Sequence, residues 1–210
     1  MGDNRTSVEG TPVDMNDTNK PAEPIGLFDL DGTLADFDES MQLRLEELRS
    51  PGEDPAVEDD ESIPYVKARR RLIKSQPGFW RDLAPIPLGF QLLEEARAQR
   101  FLCQILSKSP RKIPAAAGEK IEWCVKYVPE LPIVLSEDKG LVYGKLLCDD
   151  WPEYIERWLT WRPRGLVIAV AQRWNVGIDT RFPKNVVRFD GTNFPYVRER
   201  MQEIRATAGY

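Results

Sequence analysis

Gly26-Leu-Phe-Asp-Leu-Asp-Gly-Thr-Leu34 is the stretch of sequence that decides the fold. Its apolar residues predict a buried strand, which ends in two carboxylates separated by one residue. Because successive side chains of a strand point to opposite faces, Asp29 and Asp31 share a face and are aimed at one spot. Gly32 permits a sharp turn or a close backbone approach, and Thr33 adds a hydroxyl group beside it. A strand end of this kind suits a metal ion and a phosphate group.

A second Asp-Gly-Thr run, at residues 190–192, shows that the paired aspartates distinguish the first run from an ordinary turn. Residues 188–192 read Arg-Phe-Asp-Gly-Thr, which has the turn but lacks a second aspartate. A lone Asp-Gly-Thr is typical of a strand that ends in a solvated turn, whereas paired acids favour a site. We therefore interpret Asp190 as a turn residue, and Asp29 with Asp31 as functional residues.

Composition limits the class of protein. The chain has 210 residues, 41% of them hydrophobic, which is enough for one buried core with a small inserted subdomain. No apolar stretch reaches the roughly 20 residues that a spanning helix needs, and the N-terminal residues lack the apolar segment of a secretory signal. We therefore expect a cytoplasmic location and no membrane partner.

The titratable residues narrow the chemistry. The chain contains no histidine, which excludes Ser-His and Cys-His catalysis and any zinc site built on histidine. Hydrolysis would then depend on carboxylates, lysines and hard metal ions. Cys103, Cys124 and Cys148 lack metal-ligand spacing, and their odd number argues against a disulfide framework, so we expect them to be small core residues.

Charge is unevenly distributed along the chain. The net charge of -5 disfavours nucleic acid as a partner, because binding to a phosphate backbone requires a broad basic surface. An acidic stretch at residues 53–61 nevertheless precedes the basic run Lys67–Lys74. The basic run is either a solvated helix face balanced by its acidic neighbour, which is the commoner case, or a positive lid that attracts anionic substrates.

Hydrophobic patterning predicts that strands and helices alternate. Residues 1–24 are polar and have no hydrophobic period, which predicts a disordered N-terminal tail. Strands are predicted at residues 25–30, 101–106, 133–135, 145–148, 166–171 and 186–189, and helices at 39–49, 67–74, 88–99, 116–127, 152–159 and 195–208. This alternation predicts an α/β fold with a Rossmann-like, mostly parallel sheet and helices on both faces.

Polar side chains follow several of the predicted strands. Ser107 follows the second, Lys139 lies beyond the third, and Asp149 and Asp150 end the fourth. Ligands of open parallel sheets gather outside the carboxyl ends of the strands, so we expect these residues near Asp29. Taken singly, each has an ordinary explanation as a turn residue, a solvated lysine or a helix N-cap. Their combination favours a site.

Together these residues resemble the motifs of the haloacid dehalogenase-like phosphohydrolases. The resemblance is finer to the 5'(3')-deoxyribonucleotidase branch, and it rests on Leu34-Ala-Asp-Phe37, Pro77-Gly-Phe-Trp80, Leu83-Ala-Pro-Ile-Pro87, Asp138-Lys139 and Leu147-Cys-Asp-Asp150. It implies an α/β core at residues 25–36 and 82–210, with a small helical cap inserted after the first strand at residues 37–81.

The resemblance also implies a reaction, the Mg²⁺-dependent hydrolysis of (deoxy)nucleoside monophosphates. Asp29 would be the nucleophile that forms an aspartyl-phosphate, and Asp31 would protonate the leaving oxygen and then activate water. Mg²⁺ would be bound by the carboxylates of Asp29 and Asp149 and the backbone carbonyl of Asp31. Asp150 would orient the metal ligands or Lys139.

Phosphate binding is implied for Thr33, Ser107, Lys108 and Lys139, which would bind and neutralise the transferring group. The loop after the second strand reads Ser-Lys-Ser-Pro, whereas the nucleotidases typically have Thr-Ser-Pro. This difference leaves Ser107 and Ser109 as alternatives for the hydroxyl, and we favour Ser107 because it directly follows the strand.

Substrate choice is expected to reside in the cap. The resemblance places Phe37, Phe79 and Trp80 around a nucleobase, although aromatic residues at such positions also commonly pack in a core. Alternatives to a nucleotidase are a phosphatase of another small ester, such as a sugar phosphate, and a non-catalytic nucleotide-binding module. The second alternative would have no use for an acid at Asp31. A homodimer is compatible with the sequence, which does not specify the oligomeric state.

Overall fold

The computed structural model describes residues 23–54 and 62–207. The strands are β1 (Ile25–Phe28), β2 (Leu102–Ser107), β3 (Ile133–Leu135), β4 (Leu146–Cys148), β5 (Leu166–Val170) and β6 (Val186–Phe189). They form one sheet in the order β3-β2-β1-β4-β5-β6, and all the pairings between these strands are parallel. The predicted Rossmann-like α/β fold is confirmed.

Helices connect the strands. They are α1 (Phe37–Glu47), α2 (Pro64–Lys74), α3 (Pro87–Ala98), α4 (Ala115–Tyr127), α5 (Pro152–Trp161), α6 (Ile178–Arg181) and α7 (Phe194–Ala206). In α2, α3, α5 and α7 a proline occupies one of the first two positions, where its missing N–H costs no helical hydrogen bond. The predicted elements agree with these bounds to within a few residues. The short α6 and two 3₁₀ turns, Lys139–Leu141 and Arg173–Asn175, were not predicted.

Both faces of the sheet are buried. Neighbouring residues of β1 point in opposite directions, so that Phe28 joins one hydrophobic cluster and Leu27 joins the other. The second cluster also contains Trp158 of α5, and the first contains Trp123 of α4. Among the described residues, no helix combines the length and the hydropathy that crossing a membrane requires.

The chain between β1 and β2 packs onto the first of these clusters. The buried apolar residues that it contributes are Met41, Leu45, Ile73, Phe79 and Trp80. Its end is held by Glu119 of α4, whose carboxylate accepts the backbone N–H groups of Gly78 (2.7 Å) and Trp80 (3.0 Å). Helices α1 and α2 therefore continue the core of the sheet, and the division of residues 37–81 from that core stays a prediction.

Other predictions fall partly outside the described residues. Of the tail predicted for residues 1–24, residues 1–22 lie outside the described residues. Residues 55–61 of the acidic stretch also lie outside them. The three cysteines are buried and form no disulfide, as predicted. Burial raises the pKa of the Cys103 thiol to about 12 and that of Cys124 to about 11, so both thiols are protonated at neutral pH.

Candidate active site

The carboxyl ends of β1, β2 and β4 bring the predicted site residues together. In the sheet Phe28 lies beside Ile105 on one side and Cys148 on the other, and the N–H of Asp29 donates to the carbonyl of Cys148 at 2.9 Å. The residues that directly follow β1 and β4 are therefore neighbours, and Ser107 ends the adjoining β2. This is the sheet edge at which the sequence predicted a site.

The turn after β1 folds tightly over these carboxylates. Gly32 has a φ of +80°, and a Cβ atom added there would lie 2.4 Å from Oδ2 of Asp150, so only glycine fits without displacing that side chain. The carbonyl of Leu30 accepts the N–H groups of Thr33 (3.1 Å) and Leu34 (2.8 Å). The Thr33 hydroxyl donates to Oδ1 of Asp150 at 3.1 Å.

Three buried carboxylates converge beneath this turn. One oxygen from each of Asp29, Asp149 and Asp150 lies within 4.8 Å of the other two. The ammonium of Lys139 donates to Oδ2 of Asp149 at 2.7 Å and lies 2.7 Å from Oδ1 of Asp29. Burial alone would lower the pKa of Lys139, but the attraction of these two carboxylates raises it above its usual value. Lys139 is therefore charged and bridges the two acids.

The acidic cluster carries more negative charge than this ammonium balances. Burial raises the pKa of Asp149 to about 6, against the opposing effect of Lys139. Burial, followed by repulsion from Asp149 and Asp29, raises the pKa of Asp150 well above its ordinary value. A cation bound among the three would offset this cost. Closely spaced carboxylate oxygens are the donor set that Mg²⁺ prefers, so the residues present fit that ion.

Asp31 faces a different partner, Lys120 of α4. The Lys120 ammonium donates to Oδ2 of Asp31 (2.5 Å), Oγ of Ser107 (2.9 Å) and the carbonyl of Lys108 (2.8 Å). Burial raises the pKa of Asp31, Lys120 opposes the shift, and repulsion from Asp29 adds to it. The two aspartates of the Asp-x-Asp run are thus distinguished by environment, since one lies against Lys139 and the other against Lys120.

Sequence reasoning missed Lys120, although one signal was available. Ala116, Trp123 and Cys124 are buried on the face of α4 that also carries Lys120, because residues three and four apart share one side of a helix. A lysine within the apolar stripe of an amphipathic helix is rarely buried unless it has a partner. Its position in the stripe therefore points to a buried carboxylate nearby.

A cavity of about 1030 Å³ opens over the carboxylates. Its walls include Asp29, Asp31, Lys108, Ser109 and Lys139. Two predicted phosphate-binding residues are instead buried behind the wall, because the Thr33 hydroxyl is bonded to Asp150 and the Ser107 hydroxyl accepts from Lys120. Of the two serines in the Ser-Lys-Ser-Pro loop, Ser109 is the one that faces the cavity.

Aromatic side chains also line the cavity. Phe37 and Trp80 lie in the wall as predicted, whereas Phe79 does not. Phe79 packs edge-on against both of them, with ring centroids 5.6 Å and 5.3 Å away, and its burial there contributes to the core. Further aromatic residues that the sequence did not single out also line the cavity: Trp151, Tyr154 and Trp174.

Comparisons with known proteins bear on this site. A family model described as 5' nucleotidase, deoxy (pyrimidine), cytosolic type C protein (NT5C) matches residues 23–182. The chain belongs to this family. Among its relatives, the human cytosolic-type 5'(3')-deoxyribonucleotidase is 32% identical over 144 residues, which cover 59% of this chain and 69% of that protein. The human mitochondrial 5'(3')-deoxyribonucleotidase is 31% identical over 142 residues, 60% and 62% of the two chains.

The fold agrees with that of a haloacid dehalogenase-like hydrolase. A solved structure from Burkholderia xenovorans, described as a haloacid dehalogenase-like hydrolase, superposes with a TM-score of 0.53 at 16% identity and covers 86% of this chain and 99% of its own. The resemblance drawn from the sequence motifs is confirmed. As a member of the deoxyribonucleotidase family with this fold, the chain is a phosphoric monoester hydrolase.

Proposed function

We propose that the protein is a Mg²⁺-dependent phosphomonoesterase that hydrolyses (deoxy)nucleoside monophosphates to nucleoside and phosphate. The observation that carries the proposal is the pairing of each Asp-x-Asp carboxylate with its own lysine at the floor of one cavity. Lys139 lies 2.7 Å from Asp29, and Lys120 lies 2.5 Å from Asp31. The arrangement separates a nucleophile from a proton carrier, as a two-step displacement requires.

In the first step a carboxylate oxygen of Asp29 attacks phosphorus while the bond from phosphorus to the nucleoside oxygen breaks. Asp31 gives its proton to the departing oxygen, and its raised pKa favours the protonated form that this step needs. Lys139 and Lys120, both nearly inaccessible to solvent, supply positive charge beside the transferring group.

In the second step water attacks the aspartyl-phosphate on Asp29. Asp31, now ionised, accepts a proton from that water, and the bond between phosphorus and the Asp29 oxygen breaks to release inorganic phosphate. Lys120 favours the ionised form of Asp31 at this stage, because it opposes the rise in the pKa. The surroundings of Asp31 therefore support both its loss of a proton in the first step and its gain of a proton in the second.

The Mg²⁺ site is proposed at the carboxylates of Asp29 and Asp149 with the backbone carbonyl of Asp31. Asp150 belongs to the same cluster of oxygens, and the Thr33 hydroxyl and the Trp174 indole N–H (3.0 Å) hold its side chain. When bound, Mg²⁺ supplies positive charge that neutralises the phosphoryl oxygens.

A nucleoside would fit against the aromatic residues of the cavity wall. Aromatic faces stack on nucleobases, for about 1 to 3 kcal/mol per base in single-strand binders, and Phe37 and Trp80 lie with ring centroids 5.4 Å apart at the cavity wall. Trp151 and Trp174 line it with centroids 5.9 Å apart. A cytoplasmic location and a homodimer stay predictions.

The experiment measures phosphate release from nucleoside 5'- and 3'-monophosphates and from sugar phosphates, with Mg²⁺ and with a chelator. Asp29→Asn should lower kcat by about a thousandfold or more. Asp190→Asn is the matched control, since Asp190 lies in the second Asp-Gly-Thr run, is exposed and should be dispensable.

Several results would contradict the proposal. Full activity of Asp29→Asn would exclude Asp29 as the nucleophile, and unchanged release with chelator would exclude the metal. A preference for sugar phosphates over every nucleotide would exclude a nucleotidase. Nucleotide binding without any phosphate release would favour the binding module.

A further inference from the structure

One wall of the catalytic cavity is formed by the basic face of α2. Lys67, Arg70, Arg71 and Lys74 all line the cavity, and their spacing of three, four and seven residues places them on one side of the helix. On the inner side of the helix Val66, Ile73 and the Arg70 side chain are buried, whereas Lys67 and Arg71 are exposed. The basic run seen in the sequence is therefore directed at the catalytic cavity.

This basic face is unfavourable for the helix itself. Like charges four residues apart destabilise a helix, and Lys67 and Arg71 form such a pair on the exposed side of α2. The helix contains no acidic residue that could relieve the repulsion. Lys67 and Arg71 are exposed and form no ion pair with any described residue. Solvent alone leaves the repulsion between Lys67 and Arg71 in place, whereas an anion bound between them would compensate for it.

The reacting phosphate does not account for these cations. Lys139 and Lys120 already lie at the floor of the cavity beside the catalytic aspartates. Elsewhere in the wall, Glu137 pairs with Arg111, and Asp38 lies 3.3 Å from Arg173. The α2 wall thus adds a second concentration of positive charge, although the chain as a whole has a net charge of -5.

We infer that the α2 face binds a second phosphate group of the substrate, so that the preferred substrate is a nucleoside bisphosphate, such as a nucleoside 3',5'-bisphosphate. This inference rests on the proposed nucleotidase function. One phosphate reacts at Asp29, the base contacts the aromatic wall, and the other phosphate contacts Lys67 and Arg71. A cavity of about 1030 Å³ is of the size that encloses a small molecule, and the acidic chain disfavours a polymer.

The test compares two substrates that share a base, a nucleoside 3',5'-bisphosphate and the nucleoside 5'-monophosphate. Initial rates of phosphate release with Mg²⁺ at fixed ionic strength give kcat/KM for each. The variant is Lys67→Gln with Arg71→Gln. The control is Lys126→Gln with Lys184→Gln, which removes the same charge from exposed residues that do not line the cavity.

We expect the wild-type protein to prefer the bisphosphate by about tenfold or more, as charge-assisted hydrogen bonds to a second phosphate would provide. The Lys67/Arg71 variant should lose that preference while its kcat/KM for the monophosphate stays within about threefold. The control variant should keep the preference. Retained monophosphate activity also shows that the variant is folded.

Other outcomes overturn the inference. An equal loss with both substrates would show that α2 only attracts anions in general, and the absence of any preference in the wild-type protein would exclude the second phosphate site. A 5'-phosphorylated oligonucleotide hydrolysed faster than the bisphosphate would make the substrate a nucleic acid end. Failure to release phosphate from any nucleotide would instead refute the proposed function, and this inference with it.

Discussion

Replacing Lys120 by methionine tests the proposed division of labour between the two aspartates. The substitution keeps most of the length of the side chain and removes the ammonium of a residue that is 2% exposed. Its hydrogen bonds to Asp31, Ser107 and the carbonyl of Lys108 are lost together. Asp31 then keeps its burial and its repulsion from Asp29 but loses the cation that lowers its pKa.

The size of the effect follows from these contacts. A hydrogen bond to a charged group contributes about 1.5 to 3 kcal/mol, and breaking a buried pair costs about 3 to 5 kcal/mol. Because the Asp31 side chain is 26% exposed, solvent offsets part of the loss, and we expect about 2 to 3 kcal/mol of transition-state stabilisation. That corresponds to a decrease in kcat of about 30- to 160-fold.

The pH dependence separates a role in proton transfer from a merely structural role. Without Lys120 the pKa of Asp31 rises, so the ionised carboxylate that activates water is reached only at higher pH. The acidic limb of the kcat profile should therefore move upward. Lys126→Met, on the exposed side of the same helix, is the control. A Lys120→Met profile that matches this control within threefold at every pH would refute the reasoning.

Two further predictions concern stability. Gly89→Ala in α3 would put a Cβ atom 1.9 Å from the backbone oxygen of Thr33, so chemical denaturation should show a loss of about 1 to 3 kcal/mol. Gly118→Ala in α4, where nothing lies within 4 Å, should instead gain about 0.5 to 1 kcal/mol; a gain in both would contradict the contact at Thr33. Burial raises the pKa of Glu95, but hydrogen bonds from Arg198 and Gln99 outweigh this effect, so that the pKa lies below its usual value. A group with a lowered folded pKa stabilises above its unfolded value, so Glu95→Gln should cost about 1 kcal/mol at pH 7, and the difference from wild type should close as pH falls below about 4.5. A difference independent of pH would exclude the ion pair.

The sequence predicted the fold well because the signals that decide it are local. Strands buried on both faces appear as short apolar runs, and the prolines that open α2, α3, α5 and α7 mark where helices begin. The acids at the ends of β1 and β4 could be placed for the same reason, since parallel strands bring their carboxyl ends to one edge. Asp29, Asp149 and Asp150 meet there.

The parts that were missed depend on contacts between distant residues. Lys120 meets Asp31, 89 residues away, only because α4 packs against β3 and brings the lysine to the end of the neighbouring β2. Phe79 and Trp80 are adjacent aromatic residues, yet only Trp80 faces the cavity, and hydrophobicity alone does not distinguish the two positions. Thr33 lies within the turn, and its hydroxyl is bonded to Asp150. That bond depends on how far the turn folds back toward β4, which the local sequence does not specify.

Adjacent residues of α4 attach to two different parts of the protein. Glu119 accepts the backbone N–H groups of Gly78 and Trp80, and Lys120 donates to Asp31. A chimera that exchanges residues 37–81 between relatives should consequently exchange α4 as well. A transplanted segment without its own α4 loses the hydrogen bonds from Gly78 and Trp80 to Glu119. A segment that packs poorly against Glu119 would also displace the neighbouring Lys120. Module boundaries drawn only from chain order would cut through this connection.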